Sequence, residues 1–315
     1  MKRIIAGGTG FIGSALVKHW QTQNLELIVL GRDQQKIQKI FGDQVTAMDW
    51  KTFAAQSQQL CREVDCIINL CGASIGSRRW SPARKKLLIE SRVKPTQTLA
   101  QACASCGEHA PRLFNANGIG IYGIQKRLTA NLPAACDENT PLPEPPTDFL
   151  SSLGALWEAA TQPAIDAGVK VIRLRFGVVL DRSGGALPRL ALPFRFGLGG
   201  IVGSGEQPFS WITLVDLLQI FDFLIAHPEV TGAINCVSMQ TVKQKEFAHN
   251  LARTLHRPCW LPMPATLIKL LFGQMGRELL LNGQHVVPTR LTELGFQFQY
   301  PDLDAALDFI YQFHA

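Results

Sequence analysis

The chain has 315 residues, 46% of them hydrophobic, enough to bury a large core as one large domain or two unequal ones. Its net charge of +6, from 31 basic and 25 acidic residues, is modest. The basic residues gather between Arg78 and Lys94 rather than along an aromatic-rich surface, which speaks against nucleic acid and for a small-molecule substrate carrying an anionic group.

The first predicted element is a strand over 2–6, which runs into Gly7-Gly8-Thr9-Gly10-Phe11-Ile12-Gly13 and then an amphipathic stretch to Trp20. This strand, glycine turn and helix start form a dinucleotide-binding signature. Gly7 and Gly8 allow the tight turn, Gly10 lets backbone approach a pyrophosphate, and Gly13 lets the helix pack closely on the strand. The pyrophosphate would sit on the helix N-terminus, where free amides and the dipole favour anions.

The second strand, 26–30, ends in Gly31-Arg32-Asp33. An acidic side chain at that strand end would take the ribose 2′-hydroxyl, whereas arginine beside a small residue leaves room for a 2′-phosphate and neutralises it. NADP(H) is therefore favoured over NAD(H). The competing reading makes Asp33 the ribose ligand, but Asp33 opens the next helical pattern and reads as its N-cap.

Further strands are predicted at 44–48, 64–70, 111–117 and 169–176, with helix-compatible segments between them. This rhythm belongs to a Rossmann-type α/β fold with a doubly wound parallel sheet, and ligands of such sheets bind beyond the C-terminal strand ends. Ser81-Pro82 predicts the start of a helix over 82–105, with serine as N-cap and proline in the first turn. Arg92 falls on a face shared with Leu88, Ser91, Pro95 and Leu99, so it needs an anionic or polar partner: a cofactor, or a structural carboxylate.

Residues 125–147, proline-rich and without periodicity, predict a long loop that acts as a lid, mobile until ligand binds. Residues 1–180 read as the cofactor-binding domain and 181–315 as a smaller, mixed C-terminal domain on the substrate side. The stretch 206–237, with a helical run from Val215 and strand-like 233–237, would return to the first domain.

Of the eight cysteines, Cys66 and Cys71 lie inside apolar runs, as reduced core cysteines do. Cys103 and Cys106 form a lone C-x-x-C without a second pair, and His249 and His256 lie two helical turns apart on an ordinary amphipathic pattern. No metal site is expected. No apolar run reaches the ~20 residues of a membrane span and no signal peptide precedes the first strand, so no membrane partner and a cytoplasmic location are expected.

Together these residues resemble an atypical short-chain dehydrogenase/reductase, the YfcH-like "NAD-dependent epimerase family" group. The resemblance rests on Gly7 to Gly13, on Ile68-Asn69-Leu70-Cys71-Gly72, and on Arg79-Trp80 followed by Ser91-Arg92. It continues through Pro193-Phe194-Arg195, Gly197-Leu198-Gly199-Gly200, Gly203-Ser204-Gly205, Ser210-Trp211-Ile212, Gly283-Gln284 and Val287-Pro288. It implies NADP(H) contacts at Gly31, Arg32, Leu70, Cys71, Gly72, Arg92 and Val178. Arg195, in its Pro/Gly-rich segment, would hold an anionic substrate group.

Ordinary members of the superfamily use a Tyr-x-x-x-Lys pair, the lysine tuning the phenol for proton transfer. Here Leu150 and Gly154 stand where that pair is expected. Asn115 and Asn117 replace serines, and Thr213 and Val215 replace the group's usual histidine and aspartate. Asn117, as a donor to a substrate carbonyl, and Tyr122, as the nearest hydroxyl, remain the weak catalytic candidates. Two functions follow: an NADP(H)-dependent oxidoreductase or epimerase-like enzyme, or an NADP(H)-binding sensor without turnover.

Overall fold

The computed structural model describes residues 1–23, 25–125 and 131–312. Its centre is a seven-stranded parallel sheet made of β1 (Lys2–Ala6), β2 (Glu26–Gly31), β3 (Thr46–Asp49), β4 (Cys66–Asn69), β5 (Arg112–Gly118), β6 (Val171–Phe176) and, later in the chain, β11 (Gly232–Cys236). The order across it is β11-β6-β5-β4-β1-β2-β3, so the chain leaves β1 towards β2 and returns on the other side as β4. That reversal opens a crevice between β1 and β4 at their C-terminal ends.

Side chains alternate between the sheet's two faces, and each face buries its own cluster. Ile5, Val29 and Ile68 meet Leu16 and Trp20 of α1 (Phe11–Gln21), Ile37 of α2 (Gln34–Phe41) and Phe221 of α8 (Leu214–Ala226). Ile4, Ile28 and Ile67 meet Phe53 and Cys61 of α3 (Trp50–Glu63), Leu99 and Cys103 of α4 (Pro82–Ala104) and Ala164 of α6 (Gln162–Asp166). The C-x-x-C pair thus lies in core with Cys61. Helix α5 (Phe149–Ala159) packs beside α4 on the same side.

The helix starts predicted at Ser81 and Asp33 hold at atomic detail, and Asp49 adds a third, unpredicted cap. Ser81 Oγ accepts the Arg84 amide at 3.2 Å, Asp49 Oδ1 that of Thr52 at 2.7 Å, and Asp33 Oδ1 that of Lys36 at 2.9 Å. Pro95 lies inside α4 without interrupting it.

After β6 the chain forms β7 (Val178–Asp181) and β8 (Gly184–Gly185), then α7 (Leu187–Arg195). It passes through β9 (Pro208–Phe209) and β10 (Trp211–Thr213) before α8 and β11 return it to the main sheet. β10, β7 and β8 make a three-stranded sheet, and β9 pairs with β12 (Val242–Lys243). A smaller lobe follows, built from α9 (Gln244–Thr254), α10 (Ala265–Leu279, kinked at Gly273) and α12 (Leu303–Gln312), while α11 (Thr289–Glu293) packs its Leu291 into the main sheet's core beside β11. The lobe's core joins Phe194 and Leu187 of α7 to Phe247, Leu251, Leu307 and Trp211. Among the described residues no helix is long and apolar enough to cross a membrane.

Residues 126–130 of the expected lid lie outside the described residues. The described remainder is a tied strap. Cys136 bridges to Val286, and its amide donates to the His285 carbonyl at 2.8 Å. The Glu138 carboxylate accepts the amides of Asn235 at 2.9 Å and Arg290 at 3.3 Å, while burial pushes it above the usual carboxylate range. Prolines supply no amides, so this loop gains its order from a few polar anchors that sequence periodicity does not reveal.

Candidate active site

The site begins with the turn after β1. Gly7 has φ +82°, and a β-carbon there would stand 2.8 Å from the Leu70 carbonyl carbon, so only glycine lets the turns after β1 and β4 touch. The Gly7 amide donates to Leu30 O at 3.0 Å and the Leu70 amide to Ala6 O at 2.9 Å. Helix α1 follows with Gly10 as N-cap, no side-chain cap and no acidic residue in its first turn. Its first amides are therefore open to an anion, and Thr9 stands in the turn beside them. The Phe11 ring lies against Gly184 and Gly185 of the β7–β8 hairpin, where a β-carbon at Gly185 would come within 2.7 Å of it. Ile12 packs into the core behind.

At the end of β2, Asp33 accepts the Lys36 amide on Oδ1 as the N-cap of α2, as the sequence predicts. Arg32 is exposed beside Gly31. Its charge is felt at Cys71, whose thiol burial pushes up to about 12.

At the end of β4, Asn69 donates to Asn115 Oδ1 at 2.7 Å and to Thr96 Oγ1 at 2.8 Å, and the Trp157 indole donates to the same Thr96 oxygen at 3.0 Å. Asn69 Oδ1 takes the Cys71 amide at 3.2 Å. This buried amide network fixes the turn from Leu70 to Ala73. Behind that turn lies Arg92, 9% exposed. It donates to Leu88 O at 3.0 Å and Ala73 O at 3.1 Å, and its guanidinium lies 4.9 Å from the Trp157 ring centroid.

Among the described residues no carboxylate pairs with Arg92, and its Nε is buried without a partner. Burial lowers its pKa to about 10, with Arg84 adding to the effect. Gly72 makes the room: a β-carbon there would stand 3.0 Å from the guanidinium carbon. A buried cation with an orphaned donor beside open helix amides fits an anionic dinucleotide. Val178 stands at the start of β7, its amide held by Ser210 O at 2.9 Å.

The catalytic candidates are engaged elsewhere. Asn117 donates to Gly154 O at 3.0 Å and accepts the Gly118 amide at 2.8 Å, which ties β5 to α5. The Tyr122 hydroxyl accepts from Arg175 at 2.8 Å and lies 2.8 Å from both Asp137 O and Asn235 Oδ1. Arg175 also forks onto Glu158 at 2.8 and 2.9 Å. Burial raises the phenol pKa, opposed by Arg175. Thr213 caps α8 through the Asp216 amide at 3.0 Å.

The positions of the missing pair are filled by packing. Leu150 lies on Gly120, and a β-carbon on Gly154 would stand 2.8 Å from Ile121 Cβ. Glu278 of α10 covers the start of α5, accepting the amides of Phe149 at 3.4 Å and Leu150 at 3.0 Å.

Arg195 meets the smaller lobe. It lies at the C-terminal end of α7 beside the Tyr311 hydroxyl, whose pKa burial raises, a rise that the arginine's charge partly opposes. The arginine of α7 that crosses to the turn after β4 is Arg189, donating to Gly76 O at 2.8 Å. The two are six residues apart, about 240° around a helix, so they leave it in different directions. Choosing between them from sequence requires knowing which face of α7 meets Phe247 and Leu307, residues far along the chain.

Residues 3–236, the span that builds this cleft, match the NAD dependent epimerase/dehydratase family. The chain belongs to that family. Residues 263–310 match a domain of unknown function (DUF1731), which takes in α10 and α11 and part of α12. The human epimerase family protein SDR39U1 is 35% identical over 98% of each chain. The Mycobacterium tuberculosis epimerase family protein MT2273 is 35% identical over 97% of this chain and 96% of its own. The crystal structure of human SDR39U1 (isoform 2) with NADPH superposes with a TM-score of 0.86 at 33% identity, covering 99% of both chains. A Thermus thermophilus UDP-glucose 4-epimerase complex with NAD, at 17% identity and TM-score 0.73, shares the fold.

Proposed function

We propose that the protein is an NADP(H)-dependent oxidoreductase or epimerase-like enzyme acting on a small, anionic molecule in the cytoplasm. The observation that carries this reading is Arg92, a buried guanidinium with an unpartnered Nε and, among the described residues, no carboxylate, set behind the turn after β4 that touches the glycine turn before α1. The residues that would hold the cofactor are Gly7, Thr9, Gly10 and Gly13 for the pyrophosphate, Gly31 and Arg32 for the 2′-phosphate, and Leu70 to Gly72 with Arg92 and Val178 towards the nicotinamide. Human SDR39U1, crystallised with NADPH, supports the choice of cofactor. The nicotinamide would supply hydride chemistry, and the protein orientation and electrostatics.

Replacing Arg32 with alanine is expected to weaken NADP(H) binding by ~10–100-fold, the worth of a charge-assisted pair, while NAD(H) binding stays nearly constant. Calorimetry with both cofactors reads this directly. Equal affinity of the unmodified protein for the two would overturn the assignment.

A second reading, an NADP(H)-binding sensor without turnover, is favoured by the engaged amide of Asn117 and hydroxyl of Tyr122. Following NADPH absorbance against a panel of small carbonyl compounds and sugar nucleotides separates the two. Steady oxidation of NADPH supports the enzyme, and tight binding with no turnover supports the sensor.

A further inference from the structure

Exposed apolar side chains are ordinary when scattered, but here several of the largest share one ledge of the smaller lobe. Phe196 is 73% exposed and Trp260 63%, with Leu198 and Leu261 beside them in the chain, and α10, which starts two residues after Met263, carries Leu270, 72% exposed, and Leu271. Backbone bonds make the ledge rigid. The amides of Trp260 and Leu261 both donate to Gly199 O at 3.1 Å, and Met263 donates to Ile201 O at 2.8 Å. The Trp260 indole donates to Gly197 O at 2.9 Å, so its polar atom is satisfied by protein while the ring stays outside.

The chain stretches that carry this ledge are rich in cations and hold no acid of their own. Between Asp181 and Glu206, and again between Glu246 and Glu278, the sequence contains no carboxylate. The same two stretches carry Arg195, Arg257 and Lys269, all exposed. Among the described residues none of these three has a carboxylate within ion-pair distance, whereas Arg253 is paired with Asp304 at 2.7 Å. A second copy meeting this face through the same face would set like charges against each other. An anionic bilayer offers apolar chains for the leucines and rings, and phosphates for the cations that surround them.

We propose that this ledge is a membrane-docking face that seats the protein peripherally on an anionic phospholipid surface. The contact is adsorption through side chains, not insertion of a helix.

Flotation of the full-length protein with vesicles of phosphatidylcholine alone, or mixed with phosphatidylglycerol, tests this. The protein is expected to float with the anionic vesicles, to ignore the neutral ones, and to release as salt rises. Arg257→Glu with Lys269→Glu should lower vesicle partition about tenfold or more. A control pair on the other lobe, Lys18→Glu with Lys51→Glu, changes net charge equally and should keep partition near the parent's. Trp260→Ser with Leu270→Ser should lose binding even at low salt, with circular dichroism and thermal unfolding confirming the fold of every variant.

Absence of binding to anionic vesicles would overturn the proposal, as would equal losses from the two charge pairs. Unchanged binding in the Trp260 and Leu270 variant would reduce the effect to diffuse electrostatics and also overturn it. A dimer in solution that this variant converts to monomer, without vesicle binding, would assign the ledge to a second copy instead.

Discussion

A guanidinium taken out of water without a carboxylate costs several kcal/mol less whatever its hydrogen bonds return, and Arg92 recovers part of that through two carbonyls and the Trp157 ring. The remainder is stability given up for a ligand. Arg92→Met, similar in length and uncharged, is therefore expected to leave the cofactor-free protein at least as stable while abolishing NADP(H) binding. Thermal unfolding with and without NADPH checks both halves; a large loss of stability in the free protein would mean that Arg92 is structural. Tyr122 presents the opposite case. Tyr122→Phe strips an acceptor from Arg175 and a donor from Asp137 O or Asn235 Oδ1, at a cost of about 1–3 kcal/mol in denaturant unfolding. Any turnover should fall by less than the ~10²–10⁴-fold expected of a dedicated acid/base. A larger loss with folding and cofactor affinity intact would make this tyrosine the proton shuttle.

Among the elements, α5 shows why the usual Tyr-x-x-x-Lys pair cannot simply be restored. Its Gly154 face lies so close to Ile121 that any side chain must push the helix away, and its first amides are held by Glu278. Gly154→Ala is expected to destabilise the protein by about 1–3 kcal/mol, read as a lower denaturant midpoint, and Gly154→Lys by more. A neutral Gly154→Ala would show that the contact yields easily. The sequence made the strands, the glycine turn and the helix caps legible because each depends on a local period or on one residue's own backbone chemistry, as with Gly7 and Asp33. Arg189, Glu278 and the anchors of the 131–148 strap were not legible. Each acts on a partner 97 or more positions away, and nothing local marks the pairing. Asn117 misled for a related reason: its residue type suits a donor, but the close approach of Gly154 engages it.

For the whole molecule, the cleft is where the two lobes hold one another. Phe11 of the dinucleotide turn rests on the β7–β8 hairpin, Arg189 reaches Gly76, and Glu278 binds the start of α5. All three ties border the strand ends at which the cofactor would lie, so a bound dinucleotide adds its own contacts to a junction already shared by both lobes. Unfolding should therefore be one transition rather than two, with far-UV circular dichroism and tryptophan fluorescence giving the same midpoint, because buried Trp20 reports the first lobe and buried Trp211 the second. NADPH should move that single transition upward as a unit. At a hundred times its dissociation constant the gain is about 2.7 kcal/mol, and NADH at the same concentration should give much less. In Arg32→Ala the two cofactors should shift the midpoint equally, since the difference between them is then no longer read by any cation at the end of β2. Two separated transitions, with NADPH raising only the first, would show that the ties across the cleft are too weak to join the lobes.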